Sequence, residues 1–104
     1  MTEHDNDMRP LGPAEVQSRL ESLGGGWQLN SAGHLEQHFK FPDFMGAMTF
    51  ANAIGVEAEA ACHHPDLYIA WGKCTVEIWT HDIGGLAEGD FALAAAIGRL
   101  YPPA

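Results

Sequence analysis

The segment HHPDLYIAWGKCTVEIWTHDIGG, residues 63–85, carries the strongest architectural signal in the chain. Residues 73–81 alternate: Cys74, Val76, Ile78 and Thr80 point one way, and Thr75, Glu77, Trp79 and His81 the other. A side-chain period of two marks a half-buried strand, so the first set predicts the core face. Residues 67–71 predict another strand just before it, separated only by Gly72. One residue is too short for a hairpin turn unless a neighbour joins it, which leaves a hairpin or one long bent strand. Pro65 restricts the residue before it to extended backbone, so His64 should lie outside any preceding helix.

That helix is predicted over residues 44–61. Phe44, Ala47, Met48, Ala51, Ile54 and Ala58 fall on one helical stripe, and Asp43 suits the N-cap. Before it, residues 27–30 and 34–41 predict a hairpin around a turn at residues 31–33. Leu35, Gln37, Phe39 and Phe41 share one face, and His34, Glu36, His38 and Lys40 the solvated other. Val16, Leu20 and Leu23 recur at helical spacing behind Pro13, so residues 13–23 predict a short amphipathic helix ended by Gly24, Gly25 and Gly26. Residues 1–12 lack periodicity and read as a mobile tail, leaving residues 13–104 as a single domain. After a loop at residues 82–86, Leu93, Ala94, Ile97 and Leu100 form the buried stripe of a last helix over residues 87–100. The order α-β-β-α-β-β-α predicts an α+β fold: a four-stranded antiparallel sheet with helices packed on one face. Trp79 would then stand exposed on the open face, and a subunit interface covering it predicts a homodimer or homotetramer.

The charge balance narrows function. Five Lys+Arg against 14 Asp+Glu give a net charge of −9. Such a surface repels phosphate backbones and anionic lipid, so neither nucleic acid nor membrane is an expected partner. With 46% apolar residues the chain is too hydrophobic to be disordered. No apolar run approaches the roughly 20 residues needed to span a bilayer. The polar start carries no secretory pattern, which predicts a cytoplasmic protein with Cys62 and Cys74 as free, buried thiols.

Three of the six histidines, His63, His64 and His81, lie in the quoted segment. If its two strands pair, His63 near one strand's start and His81 at the other's end meet at one rim. Glu59, four residues before His63, can share its helix face. Imidazole titrates near neutral pH, at about 6.5 when unperturbed, so clustered imidazoles suit a reaction that gives one proton and takes another. Three readings remain open on spacing alone: solvated loop histidines, a metal site from Glu59, His63, His64 and His81, or a metal-free acid–base site.

Beyond spacing, the run Phe39-x-Phe41-x-x-Phe44-x-x-Ala47-x-x-Phe50, then Ala58-Glu59, then His63-His64-Pro65-Asp66, resembles the pterin-4a-carbinolamine dehydratases. So does Thr80-His81-Asp82-x-Gly84-Gly85-Leu86 with Asp90 and Leu93-Ala94, and the resemblance covers residues 11–100. It implies dehydration of 4a-hydroxytetrahydrobiopterin to quinonoid dihydrobiopterin, with no metal and no bound cofactor, in the recycling of tetrahydrobiopterin for an aromatic amino acid hydroxylase. By resemblance His63, His64 and His81 are catalytic. Glu59, Pro65, Asp66 and Asp90 belong to substrate binding, with Glu59 also tuning His63 and Asp90 orienting His81 or capping the last helix. Ala87 departs from the usual Ser or Thr, which removes a helix cap worth about 1 kcal/mol. Dehydratase-like proteins also serve as binding modules, as a transcription cofactor or a Rubisco assembly scaffold, and this is the alternative function. The complete histidine set favours the enzyme.

Overall fold

A computed structural model describes residues 9–102. Helix α1 (Pro13–Leu23) is followed by strands β1 (Gln28–Leu29) and β2 (Leu35–Lys40), helix α2 (Phe44–Ala61), strands β3 (Asp66–Ala70) and β4 (Lys73–Ile78), a 3-10 turn (His81–Ile83) and helix α3 (Glu88–Arg99). This is the predicted α-β-β-α-β-β-α order. The strands form one antiparallel sheet in the order β1-β2-β4-β3.

Gly72 resolves the choice between hairpin and bent strand. Ala70 pairs with Lys73, so Trp71 and Gly72 together make a two-residue turn. Gly72 has φ +74°, and a Cβ there would lie 3.1 Å from the Phe41 carbonyl oxygen. Left-handed backbone costs a side-chain-bearing residue about 1–2 kcal/mol, so the close packing of this turn against the end of β2 needs glycine.

The core lies between the sheet and the helices. Leu35 and Phe39 of β2 and Cys74, Val76 and Ile78 of β4 meet Ala47, Phe50, Ala51 and Ile54 of α2 and Leu93, Ala94 and Ile97 of α3. The core face of β4 is the one its alternation predicts, and Thr80 just beyond the strand is buried with it. Burial pushes the Cys74 thiol pKa up and keeps it unreactive.

Three packing expectations need correction. Phe44, at the first position of α2, is 45% exposed, and Phe50 rather than Phe44 is the aromatic anchor of that helix, against Phe39 at 4.8 Å. Cys62 is exposed, because it leaves the helix in left-handed backbone (φ 53°) and does not turn inward. Trp79 is half-buried rather than standing clear of the open face. Of the supposed tail, residues 1–8 lie outside the described residues. Leu11 donates its N–H to the Leu86 carbonyl (2.9 Å) and packs on the core, while Gly12 caps α1, its N–H bonded to Glu15 Oε1 at 3.0 Å.

Asp43 caps α2 as expected, its Oδ1 accepting the Gly46 N–H at 2.7 Å. At the start of α3, Asp90 compensates for the missing Ser or Thr: its Oδ2 accepts the Ala87 N–H at 2.8 Å. No described helix is long and apolar enough to cross a membrane.

Candidate active site

The last turn of α2 sets the first two histidines. Left-handed Cys62 redirects the chain, and the His63 N–H returns to the Ala58 carbonyl at 3.1 Å. This breaks the helical i, i+4 relation that would have paired Glu59 with His63. Glu59 Oε1 instead meets Nε2 of His64 at 2.8 Å, on an exposed rim. His63 turns inward, where its Nε2 lies 2.5 Å from Oδ1 of Asp90.

Asp90 is fully enclosed. Its other oxygen, Oδ2, accepts from the Thr80 hydroxyl at 2.7 Å as well as from the Ala87 N–H. A carboxylate buried this deeply is stable only when its lone pairs are satisfied, and three donors do so here. With that carboxylate ionised, Nε2 of His63 carries the hydrogen and Nδ1 is left free to exchange a proton. Asp90 therefore serves His63, not His81 as the resemblance implies, and its enclosure keeps it from touching a substrate. It is also the cap that the resemblance allows.

The third histidine comes from the far side. Beyond β4, the Thr80 N–H donates to the Gly85 carbonyl at 2.8 Å, closing a small loop around the 3-10 turn that begins at His81. Residues 62–64 and 79–82 together line a recess of about 320 Å³. That is within the lower part of the usual range for small-molecule sites, about 300–1,000 Å³. His63, His64 and His81 thus share one recess, as the pairing of β3 with β4 requires. Pro65 and Asp66 do not line it: Asp66 opens β3 and pairs with Glu77. Glu59 and Asp90 are likewise not among its lining residues.

Among the described residues no group of three or more His, Cys, Asp or Glu side chains is arranged to hold a metal ion. His63 and His64 each commit a ring nitrogen to a carboxylate, and His81 lies flat against Trp79, with ring centroids 4.1 Å apart and planes at 22°.

A polar network on the open sheet face escapes a reading by residue alone. His34 stacks on the opposite face of Trp79 at 4.0 Å and 3°. Its Nδ1 meets Oε2 of Glu77 at 2.7 Å, and the Asn30 amide donates to the same oxygen at 2.7 Å and to Glu36 at 3.2 Å. Glu36 and Glu77 are direct cross-strand neighbours, a repulsive arrangement for like charges that the Asn30 bridge relieves. His34 is expected from alternation to be a solvated strand residue, yet its side chain is only 16% exposed. The sequence signals for this network are two alternations, Glu77, Trp79 and His81 on one strand and His34 and Glu36 on the other.

Burial alone would raise the Glu77 pKa, but hydrogen bonds from His34 and Asn30 outweigh it and hold the carboxyl below its ordinary value of 4.5. A depressed carboxylate pKa adds stability above the unfolded value that is lost as pH falls through the folded one. Glu77→Gln should therefore melt below wild type at about pH 7, with the gap closing as pH drops below about 4.5. Thermal unfolding across that range checks this, and a gap that persists unchanged to about pH 3 contradicts it.

A sequence model of the family described as Pterin 4 alpha carbinolamine dehydratase matches residues 9–100. A protein of Rickettsia bellii (strain OSU 85-389), provisionally named pterin-4-alpha-carbinolamine dehydratase, is 53% identical over 91 residues, covering 88% of this chain and 80% of its own. One of Thermosynechococcus vestitus with the same provisional name is 43% identical, covering 86% and 93%. The crystal structure of a transcriptional coactivator/pterin dehydratase from Brucella melitensis superposes with a TM-score of 0.82 at 29% identity, over 88% of this chain and 98% of that one. A pterin dehydratase-like RuBisCO assembly factor of the alpha-carboxysome shares the fold, with a TM-score of 0.63 at 17% identity over 76% and 93%.

Proposed function

The chain belongs to the pterin 4 alpha carbinolamine dehydratase family, and on that footing we propose that it converts 4a-hydroxytetrahydrobiopterin to quinonoid dihydrobiopterin and water. The C–O bond at the 4a carbon breaks, and the hydroxyl takes a proton and leaves as water. A ring N–H gives up its proton, and the electron pair left behind becomes the new C=N bond. One acid and one base suffice for this, each contributing typically about 10²–10⁴-fold.

The observation that carries this reading is the enclosed Asp90 carboxylate against Nε2 of His63. A negative charge held there stabilises the imidazolium formed when Nδ1 takes the ring proton, which makes His63 the base. His81, exposed at the mouth of the recess, is the acid, and solvent can reprotonate it. His64, steadied by Glu59, orients the pterin. No metal or bound cofactor enters these steps. The product would feed the pterin cycle of an aromatic amino acid hydroxylase in the cytoplasm, from a homodimer or homotetramer. The intact histidine set favours this enzyme over an assembly or transcription-cofactor module.

An absorbance assay on freshly generated 4a-hydroxytetrahydropterin tests the reading. The protein should accelerate dehydration well above buffer, and a rate equal to buffer's would refute it.

A further inference from the structure

We propose that His34, anchored by Glu77 and Asn30, is a positioning residue of the site, holding Trp79 and through it the ring of His81. This rests on the reading that His81 transfers a proton.

The three histidines of the recess are held differently. His63 has Asp90 behind it and His64 has Glu59. The His81 side chain has no hydrogen-bond partner among the described residues, and among their aromatic rings it stacks on that of Trp79. The orientation of His81 is therefore as good as that of the indole. Trp79 is gripped from its other side by His34, whose plane is within 3° of parallel. The pairing of Leu35 with Ile78, extended one step, puts His34 directly across from Trp79. The 2.7 Å bond to Glu77, itself held by Asn30, stops the His34 ring from swinging away. Offset stacking is one of the favoured arrangements of aromatic rings in contact.

Two consequences follow for the recess. Both faces of the indole are covered, so Trp79 offers a bound ring only its edge, and the free face of His81 is left to a flat substrate. His34 itself does not line the recess, so its influence on the chemistry must pass through Trp79. Misplacing a reacting group by a fraction of an ångström to an ångström can cost up to about a hundredfold in rate.

The test reads the His81 ring-proton NMR resonance, identified by its absence in His81→Ala, alongside steady-state dehydration. In the wild type the indole ring current displaces that resonance from the free-imidazole position. In His34→Ala it should move towards that position, with kcat falling roughly tenfold and KM unchanged within about twofold. His34→Phe, which restores a flat ring against Trp79, should bring back both the resonance and most of kcat. Glu77→Gln keeps the imidazole but weakens its anchor, and should move the resonance the same way by less. A wild-type resonance in folded His34→Ala or Glu77→Gln overturns the proposal, as does a shifted resonance in His34→Ala with unaltered kcat. The resonance does not depend on turnover, so an inactive wild type would refute the dehydratase reading while leaving the Trp79–His81 hold open to the same measurement.

Discussion

Replacing His81 by alanine is expected to slow dehydration by about 10²–10⁴-fold while leaving the protein folded. The imidazole is exposed at the recess, outside the core, and stacks on Trp79. Its removal opens no buried cavity and orphans no buried polar group, so the stability change should stay within about 1 kcal/mol. Circular dichroism and thermal unfolding check the second statement, and single-turnover dehydration the first. A folded His81→Ala protein with wild-type kcat would exclude this imidazole from the chemistry.

Asp90 offers a sharper separation of stability from catalysis. Asp90→Ala orphans the His63 Nε2–H, the buried Thr80 hydroxyl and the Ala87 N–H together. Leaving buried donors without partners should cost about 3 kcal/mol, a drop in melting temperature of more than about 10 °C for a domain of this size. Asp90→Asn has nearly the same shape and can keep an oxygen towards Thr80 and Ala87. Its amide then presents hydrogens to Nε2, which must become an acceptor, and the His63 hydrogen moves to Nδ1. That tautomer cannot take a proton at the nitrogen left for the recess. The melting temperature should fall only slightly, while the rate falls by about 10²–10⁴-fold. An Asn variant within about twofold of the wild-type rate would remove Asp90 from the role of proton-transfer partner.

The sheet was legible because periodicity reports which side of a strand meets the core. Cys74, Val76 and Ile78 are buried as their alternation requires, and Asp43 caps α2 because a short carboxylate satisfies free helix amides wherever it stands. The convergence of His63, His64 and His81 followed from the pairing of two strands adjacent in sequence. Misreadings fall where a single dihedral angle or a distant partner decides. A continuing helix would pair Glu59 with His63, and left-handed backbone at Cys62 gives it His64 instead. Alternation alone leaves Trp79 standing on the open face, and stacking with His34 and His81 makes it half-buried within one chain.

Local order along the chain determined the elements, the core face of each strand and the histidines that meet at the rim, since these depend on neighbours within a few positions. Tertiary structure decided which carboxylate stands behind which imidazole. Asp90 reaches His63 across 27 positions and Glu77 reaches His34 across 43, and hydrogen bonds over such separations are selected by the packing of α3 and β2 about the sheet. No local pattern of residue types encodes those pairings, because the partners are distant in the chain and meet only once the elements pack.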